Sequence, residues 1–331
     1  MAQEQGTELR GSPWTEPPRH SASVRVLFWG TPDFAIPSLR AVERAGHTIV
    51  GVVTQPERPR GRGRKPAPSP VAALARARSW RVLTPEDPRD GAFVDELGSL
   101  DPDISVVVAY GRILSRAVLD VPPLGSINLH ASLLPELRGA APITWAIARG
   151  HAVTGVTVMR MVEEMDAGPI LATAECPIGP ADTGALLSAR LAGMGAALLA
   201  ETLVRLEAGP VDEVQQDHAR ATFAPKVDRS SARIDWRCGR VPVARLVRAM
   251  DDVPGAWTVW RGQPVKLFGA RGTEGPGDPG RVVRADPRRG LAVAAGDGVV
   301  RVGEVQPPGK RRMEAAAWIR GRGPVVGDRF E

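Results

Sequence analysis

Asn128 and His130 stand two residues apart at the end of the apolar run SINLH, residues 126–130, ahead of a loop punctuated by Pro135 and Gly139. Side chains alternate across a strand, so residues i and i+2 share a face. The pair is expected to point to one side at a strand's carboxyl end, where open α/β sheets bind ligands. An amide there can donate to a developing oxyanion, and an imidazole can move a proton. The set needs a third group to fix the imidazole. Asp166 in VEEMDAGPI is the candidate, just past the apolar run 155–161. The ends of two neighbouring strands are expected to bring it to His130, where its carboxylate would orient the ring and favour its charged form. No Ser or Cys nucleophile accompanies these groups, which suits direct transfer better than a covalent intermediate. The same residues fit a blander reading. Asn128 and His130 could be satisfied in a core, and Asp166 could merely shape a D-A-G turn.

The elements that must carry these residues alternate. Strands are expected at 23–30, 48–54, 81–84, 104–110, 126–130, 155–161 and 169–178, and helices at 31–45, 71–79, 91–100, 141–149 and 182–208. Strand–helix alternation gives an α/β fold with a parallel-dominated sheet. Continuous apolar runs such as ISVVVAY are typical of strands covered on both faces. After about residue 210 the character changes. Short strand-like pieces recur at 256–260, 265–268, 281–284, 291–295 and 299–305, separated by Gly and Pro, without long helices. These read as a small all-β, barrel-like domain. The expected division is a disordered extension (or an early start codon) over 1–22, a catalytic domain over 23–208, a linker over 209–221 and the β domain over 222–331.

Charge divides the same way. The chain carries +6 overall, but residues from Thr222 onward hold 21 Lys+Arg against 12 Asp+Glu, and the rest is slightly acidic. A basic β domain suggests a polyanion such as nucleic acid. Arg outnumbers Lys 39 to 4, so part of the excess could be a compositional bias of the genome. No apolar stretch is expected to approach the roughly 20 residues of a membrane span. Two cysteines, Cys176 and Cys238, have no ligand spacing, which argues against disulfides and zinc and for a reducing cytoplasm.

Two further segments stand out. FWGTPDF, residues 28–34, sits at the first strand-to-helix turn but lacks G-x-G-x-x-G, so a plain turn is the better reading. Residues 55–70, QPERPRGRGRKPAPSP, show no regular pattern and carry five basic residues against Glu57. A loop of that length is often functional, and its arginines could fork onto phosphates. A merely solvated loop is the alternative.

NLHASLLPELRGAAPITWAI followed by TGVTVMRMVEEMDAGPIL resembles the folate-dependent formyltransferases. GTPDFA at 30–35, the basic loop and ARIDW at 232–236 narrow the resemblance to the methionyl-tRNA formyltransferase family, from about Val24 onward. The resemblance implies a Rossmann-like catalytic domain joined to a C-terminal barrel of the oligonucleotide-binding (OB) type. It implies a monomer that transfers the formyl group of 10-formyltetrahydrofolate to initiator methionyl-tRNA, with the folate as co-substrate and neither metal nor membrane involved. Asn128, His130 and Asp166 match the family's catalytic trio. Ser132, Leu133, Leu134 and Pro135 match its folate-contacting segment, Arg62 a tRNA-contacting arginine, and Phe34 a neighbour of the methionyl group. Ala131, Glu136 and Phe223 depart from the usual pattern, and none is a trio member. Two rival functions remain: a sugar-nucleotide formyltransferase with the same trio, and an inactive RNA-binding protein.

Overall fold

The computed structural model describes residues 23–60 and 65–331, so the expected extension over 1–22 and Arg62 lie outside the described residues. In the first half, nine strands form: β1 (Arg25–Gly30), β2 (Thr48–Val53), β3 (Arg58–Arg60), β4 (Lys65–Ala67), β5 (Val82–Leu83), β6 (Ile104–Val108), β7 (Ser126–His130), β8 (Val153–Arg160) and β9 (Ile170–Pro177). Seven of them make one sheet in the order β5-β2-β1-β6-β7-β8-β9. The first five run parallel, β8 runs antiparallel to β7, and β9 runs antiparallel to β8. The alternation of β1 shows why its run is apolar throughout. Val26 and Phe28 enter one buried cluster, and Leu27 and Trp29 enter another on the opposite face. Helices α1 (Ile36–Arg44), α2 (Pro70–Ala77), α3 (Gly91–Ser99), α4 (Arg116–Leu119), α5 (Pro142–Arg149) and α6 (Gly184–Ala208) complete this half.

The strand that carries Asn128 and His130 is anchored from behind. Leu129 points to the opposite face and packs on α6. There a Cβ on Gly195 would come within 2.6 Å of Leu129 Cδ2, so only glycine lets helix and strand approach this closely. Thr183 caps α6 by accepting from the Leu186 N–H at 3.2 Å, worth about 1 kcal/mol. By length and composition α6 could cross a membrane, which corrects the expectation that no stretch comes near one. In the fold, Leu187, Leu191, Leu199 and Leu203 are buried in the core.

Residues 55–70 also need correction. Within its described residues, β3 and β4 pair antiparallel, with Arg58 opposite Ala67 and Arg60 opposite Lys65. Proline at the centre of each strand hid this pairing, because proline cannot donate to a ladder and argues against strand.

The second half folds round its own core. Strands β10 (Trp257–Trp260), β11 (Gln263–Phe268), β12 (Arg271–Thr273), β13 (Val282–Asp286), β14 (Gly290–Ala295), β15 (Gly298–Val302), β16 (Glu304–Gln306) and β17 (Met313–Glu314) make two four-stranded antiparallel sheets. Val265, Leu267, Val293, Val300 and Phe330 fill the space between them. This half also carries helices α7 (Arg240–Ala249) and α8 (Ala315–Arg320), which the strand-based reading did not include. The VPV at the start of α7 looks like a strand. Gly239 at its N-cap was the missed signal.

Candidate active site

A cavity of about 1050 Å³ opens at the carboxyl ends of β1, β6 and β7. Sheet order reverses between β1 and β6, so this is the crevice expected of an open α/β sheet. Its floor is strand-borne. Asn128 and His130 both face it, as the two-residue spacing required. Its roof comes from the loop 161–166, and a further wall from the second half, through Lys226 and the segment 251–254.

His130 is 6% exposed, and its Nε2 lies 3.0 Å from the Leu137 carbonyl. A carbonyl only accepts, so Nε2 carries the hydrogen. Proton exchange is thereby left to Nδ1, which faces Asp166 Oδ2 at 3.6 Å, just beyond hydrogen-bond length. The Asn128 side chain lines the same cavity, and no hydrogen bond occupies it among the described residues. The amide can therefore donate to a ligand.

Asp166 reaches this place by a route other than the expected one. β8 runs antiparallel to β7, with His130 opposite Thr157 and Ile127 opposite Arg160. The end of β8 therefore lies beside the start of β7, away from His130. The loop that follows β8 folds back across the gap. Asp166 takes φ +53°, and its Oδ2 accepts the Gly139 N–H at 2.7 Å. Left-handed backbone is uncommon outside glycine, and Asp tolerates it better than most. Two residues on, a Cβ on Gly168 would strike the Arg160 carbonyl oxygen.

The remaining sequence-selected residues sit differently. Phe34 lines the cavity together with Pro32 and Asp33, so the FWGTPDF turn contributes to its wall. Ser132, Leu133, Leu134 and Pro135 do not line it. The Ser132 hydroxyl donates to the Glu136 carbonyl at 2.5 Å, and the Ser132 carbonyl accepts from Thr157 at 2.7 Å. Their polar groups brace the loop behind the site. Of the departures, Ala131 lines the cavity, Glu136 lies 3.7 Å from His151, and Phe223 is exposed.

Sequence reasoning missed several wall residues. Tyr110 to Leu114, directly after β6, form one side of the cavity. Burial pushes the Tyr110 hydroxyl up to about 12, so it stays protonated at neutral pH. The position of AYG after an apolar strand was the available signal. Gln216 and Arg138 were also missed, and no sequence signal joins them. Arg138 is 2% exposed and meets the Gln216 carbonyl oxygen through Nε at 3.1 Å and Nη2 at 2.7 Å. Among the described residues no cluster of His, Cys, Asp and Glu could hold a metal ion.

Known proteins match both halves of the chain. Residues 23–203 match the family described as formyl transferase, and residues 226–323 match the formyl transferase C-terminal domain. A methionyl-tRNA formyltransferase from Symbiobacterium thermophilum is 46% identical over 310 residues, covering 93% of this chain and 95% of the relative. Among solved structures, HypX from Aquifex aeolicus in complex with tetrahydrofolic acid aligns with 94% of this chain at a TM-score of 0.63 and 19% identity. The chain spans about half of it, 51%. An N-formyltransferase from Helicobacter canadensis, in complex with folinic acid and dTDP-3-aminofucose, aligns with 86% of this chain and 99% of its own at a TM-score of 0.65 and 15% identity. At those identities the two structures share this chain's fold.

Proposed function

The chain belongs to the formyl transferase family, and on that premise we propose that it transfers the formyl group of 10-formyltetrahydrofolate to the amino group of initiator methionyl-tRNA. One observation carries the reading: 46% identity to a methionyl-tRNA formyltransferase across more than nine tenths of both chains. The sugar-nucleotide alternative is not favoured, since the sugar-linked neighbour shares the fold at only 15% identity. An inactive RNA-binding role is disfavoured by the cavity, where the carboxylate, the imidazole and an unoccupied amide converge.

The cavity suits such a substrate, being a roomy cleft with few convergent polar groups. Bound 10-formyltetrahydrofolate supplies a formyl group whose oxygen gains negative charge as an amine attacks its carbon. In this reading, Asn128 donates a hydrogen to that oxygen. His130, with Nε2 committed to Leu137, takes the amine's proton at Nδ1 and delivers it toward N10 as the formyl carbon–N10 bond breaks and tetrahydrofolate leaves. Asp166 holds that edge of the ring, itself fixed by Gly139. Phe34 stands where the methionyl side chain would lie. Ser132 to Pro135 support the folate end from behind, and the family resemblance gives Arg62 a contact with the tRNA. The β half over 222–331 supplies the cationic surface for the tRNA backbone. We place the reaction in the cytoplasm and assign it to a monomer. Transfer of labelled formyl to initiator Met-tRNA tests the reading, with elongator Met-tRNA and a dTDP-amino sugar as controls. Labelling of the sugar in preference to the tRNA would reverse it.

A further inference from the structure

Asp166 holds a backbone conformation that most residues avoid, so something outside the loop must hold it there. Gln216 meets that need. Its Nε2 donates to the Asp166 carbonyl at 2.9 Å and to the Gly168 carbonyl at 2.7 Å. Its Oε1 accepts both hydrogen bonds from Arg138. An arginine can only donate and a carbonyl can only accept, so the orientation of the amide is settled by its partners. The residue is 5% exposed although it lies in the stretch between the two halves.

Arg138 closes the arrangement. Its backbone N–H donates to Thr222 at 2.9 Å, and its carbonyl accepts from Ala224 at 2.7 Å, which tie the loop to the chain just past Gln216. The residue before it, Leu137, accepts from His130. The residue after it, Gly139, donates to the Asp166 carboxylate. Three consecutive residues therefore hold the imidazole, the Gln216 amide and the aspartate. Leu137 at φ +58° and Gly139 at φ +117° give the loop the turns that aim them.

We propose that Gln216 is a positioning residue for the reaction: oriented by Arg138, it holds the 166–168 turn so that the Asp166 carboxylate stays against His130. It touches neither substrate and acts only through Asp166. The inference rests on the formyl transfer read above.

Two variants test it. Gln216→Ala removes both functions of the amide. Gln216→Glu keeps an acceptor for Arg138, and with it the fold, but loses both donors to the turn. Each is expected to lower kcat about 10- to 100-fold while KM for folate and for Met-tRNA stays within about 2-fold, as a small misplacement of a catalytic group does. In the Asp166→Ala background, Gln216→Ala should lower kcat no further, because the side chain it positions is gone. If Gln216→Ala does not fold, Gln216→Glu decides alone. Wild-type kcat in folded Gln216→Glu would overturn the inference, and so would an undiminished loss in the Asp166→Ala background. An inactive wild-type chain would instead overturn the functional reading on which it stands.

Discussion

Asp166 and Asp182 each accept a glycine N–H at 2.7 Å, one from Gly139 and the other from Gly179. Beyond that bond they differ. Asp182 is filled by the Arg190 guanidinium, at 2.6 and 3.3 Å. Among the described residues, the Asp166 carboxylate meets beyond that bond only an imidazole nitrogen at 3.6 Å, and it faces the cavity. A carboxylate whose bonds are complete holds a loop in place. One whose bonding is left open, beside a group that carries protons, is placed for chemistry.

The largest effects should follow from removing the open set. Asn128→Ala, His130→Ala and Asp166→Ala are each expected to lower kcat by on the order of 10²-fold or more, with Tm changed by no more than a few degrees. Single-turnover formyl transfer and a thermal melt check both halves of the statement. Near wild-type turnover in two of the three would place the chemistry elsewhere.

A smaller loss should follow from disturbing only the placement of Asp166. A methyl at Gly168 would meet the Arg160 carbonyl, a backbone atom that cannot step aside. Gly168→Ala should therefore shift the turn and lower kcat about 10-fold, leaving His130 and Asn128 in place on their strand. A crystal structure of the variant with Asp166 still 3.6 Å from His130 and kcat unchanged would break the link between turn and chemistry.

How far this contrast could be read from the sequence depends on which element carries each group. Asn128 and His130 were legible because a strand has period 2, and neighbours cannot alter which face a residue takes. Asp166 was found as a residue, but its path was not. Nothing local says that β8 runs antiparallel, so adjacent strand ends were the wrong expectation. Gln216 was invisible for a plainer reason. Its partners, Arg138, Asp166 and Gly168, are separated from it in sequence by 78, 50 and 48 residues. The two halves differ in strand-and-helix pattern and in charge along the sequence, yet helix α7 was lost inside the strand-rich half.

Arginines repeat the comparison more weakly. Arg190 is spent on Asp182, whereas Arg229 and Arg233 lie over the Trp257 ring, 4.9 and 5.5 Å from its centroid. Neither pairs with a carboxylate among the described residues, and both are exposed on the β half. Planar cations on an aromatic platform suit a nucleic-acid strand. Arg229→Ala with Arg233→Ala is expected to raise KM for tRNA about 3- to 10-fold and to flatten its salt dependence by about one to two phosphate contacts. The folate KM should not move. An unchanged salt slope would mean that these arginines only decorate the surface.

Asp182 supplies the mildest test and the control for the rest. The Arg190 guanidinium, chiefly, holds its carboxyl below the usual range. Burial works against that, and the Gly179 N–H adds to it. A carboxyl lowered on folding stabilises the native state fully above its unfolded-state value, about 3.9, and that contribution disappears as pH falls through the lower folded value. Asp182→Asn keeps the shape and removes the charge. It should cost about 1–2 kcal/mol, a few degrees in Tm, across pH 6–8. The gap between variant and wild type should begin to narrow as pH falls below about 4 and close only once pH has passed the lowered folded value, where both side chains are neutral. Arg190 is partly exposed, so salt should also narrow the gap. Throughout, kcat should remain at the wild-type level, because the Asp182 side chain lies outside the cavity wall. A kcat loss in Asp182→Asn comparable to that of Asp166→Ala would show that the distinction between a completed and an open carboxylate does not govern this site.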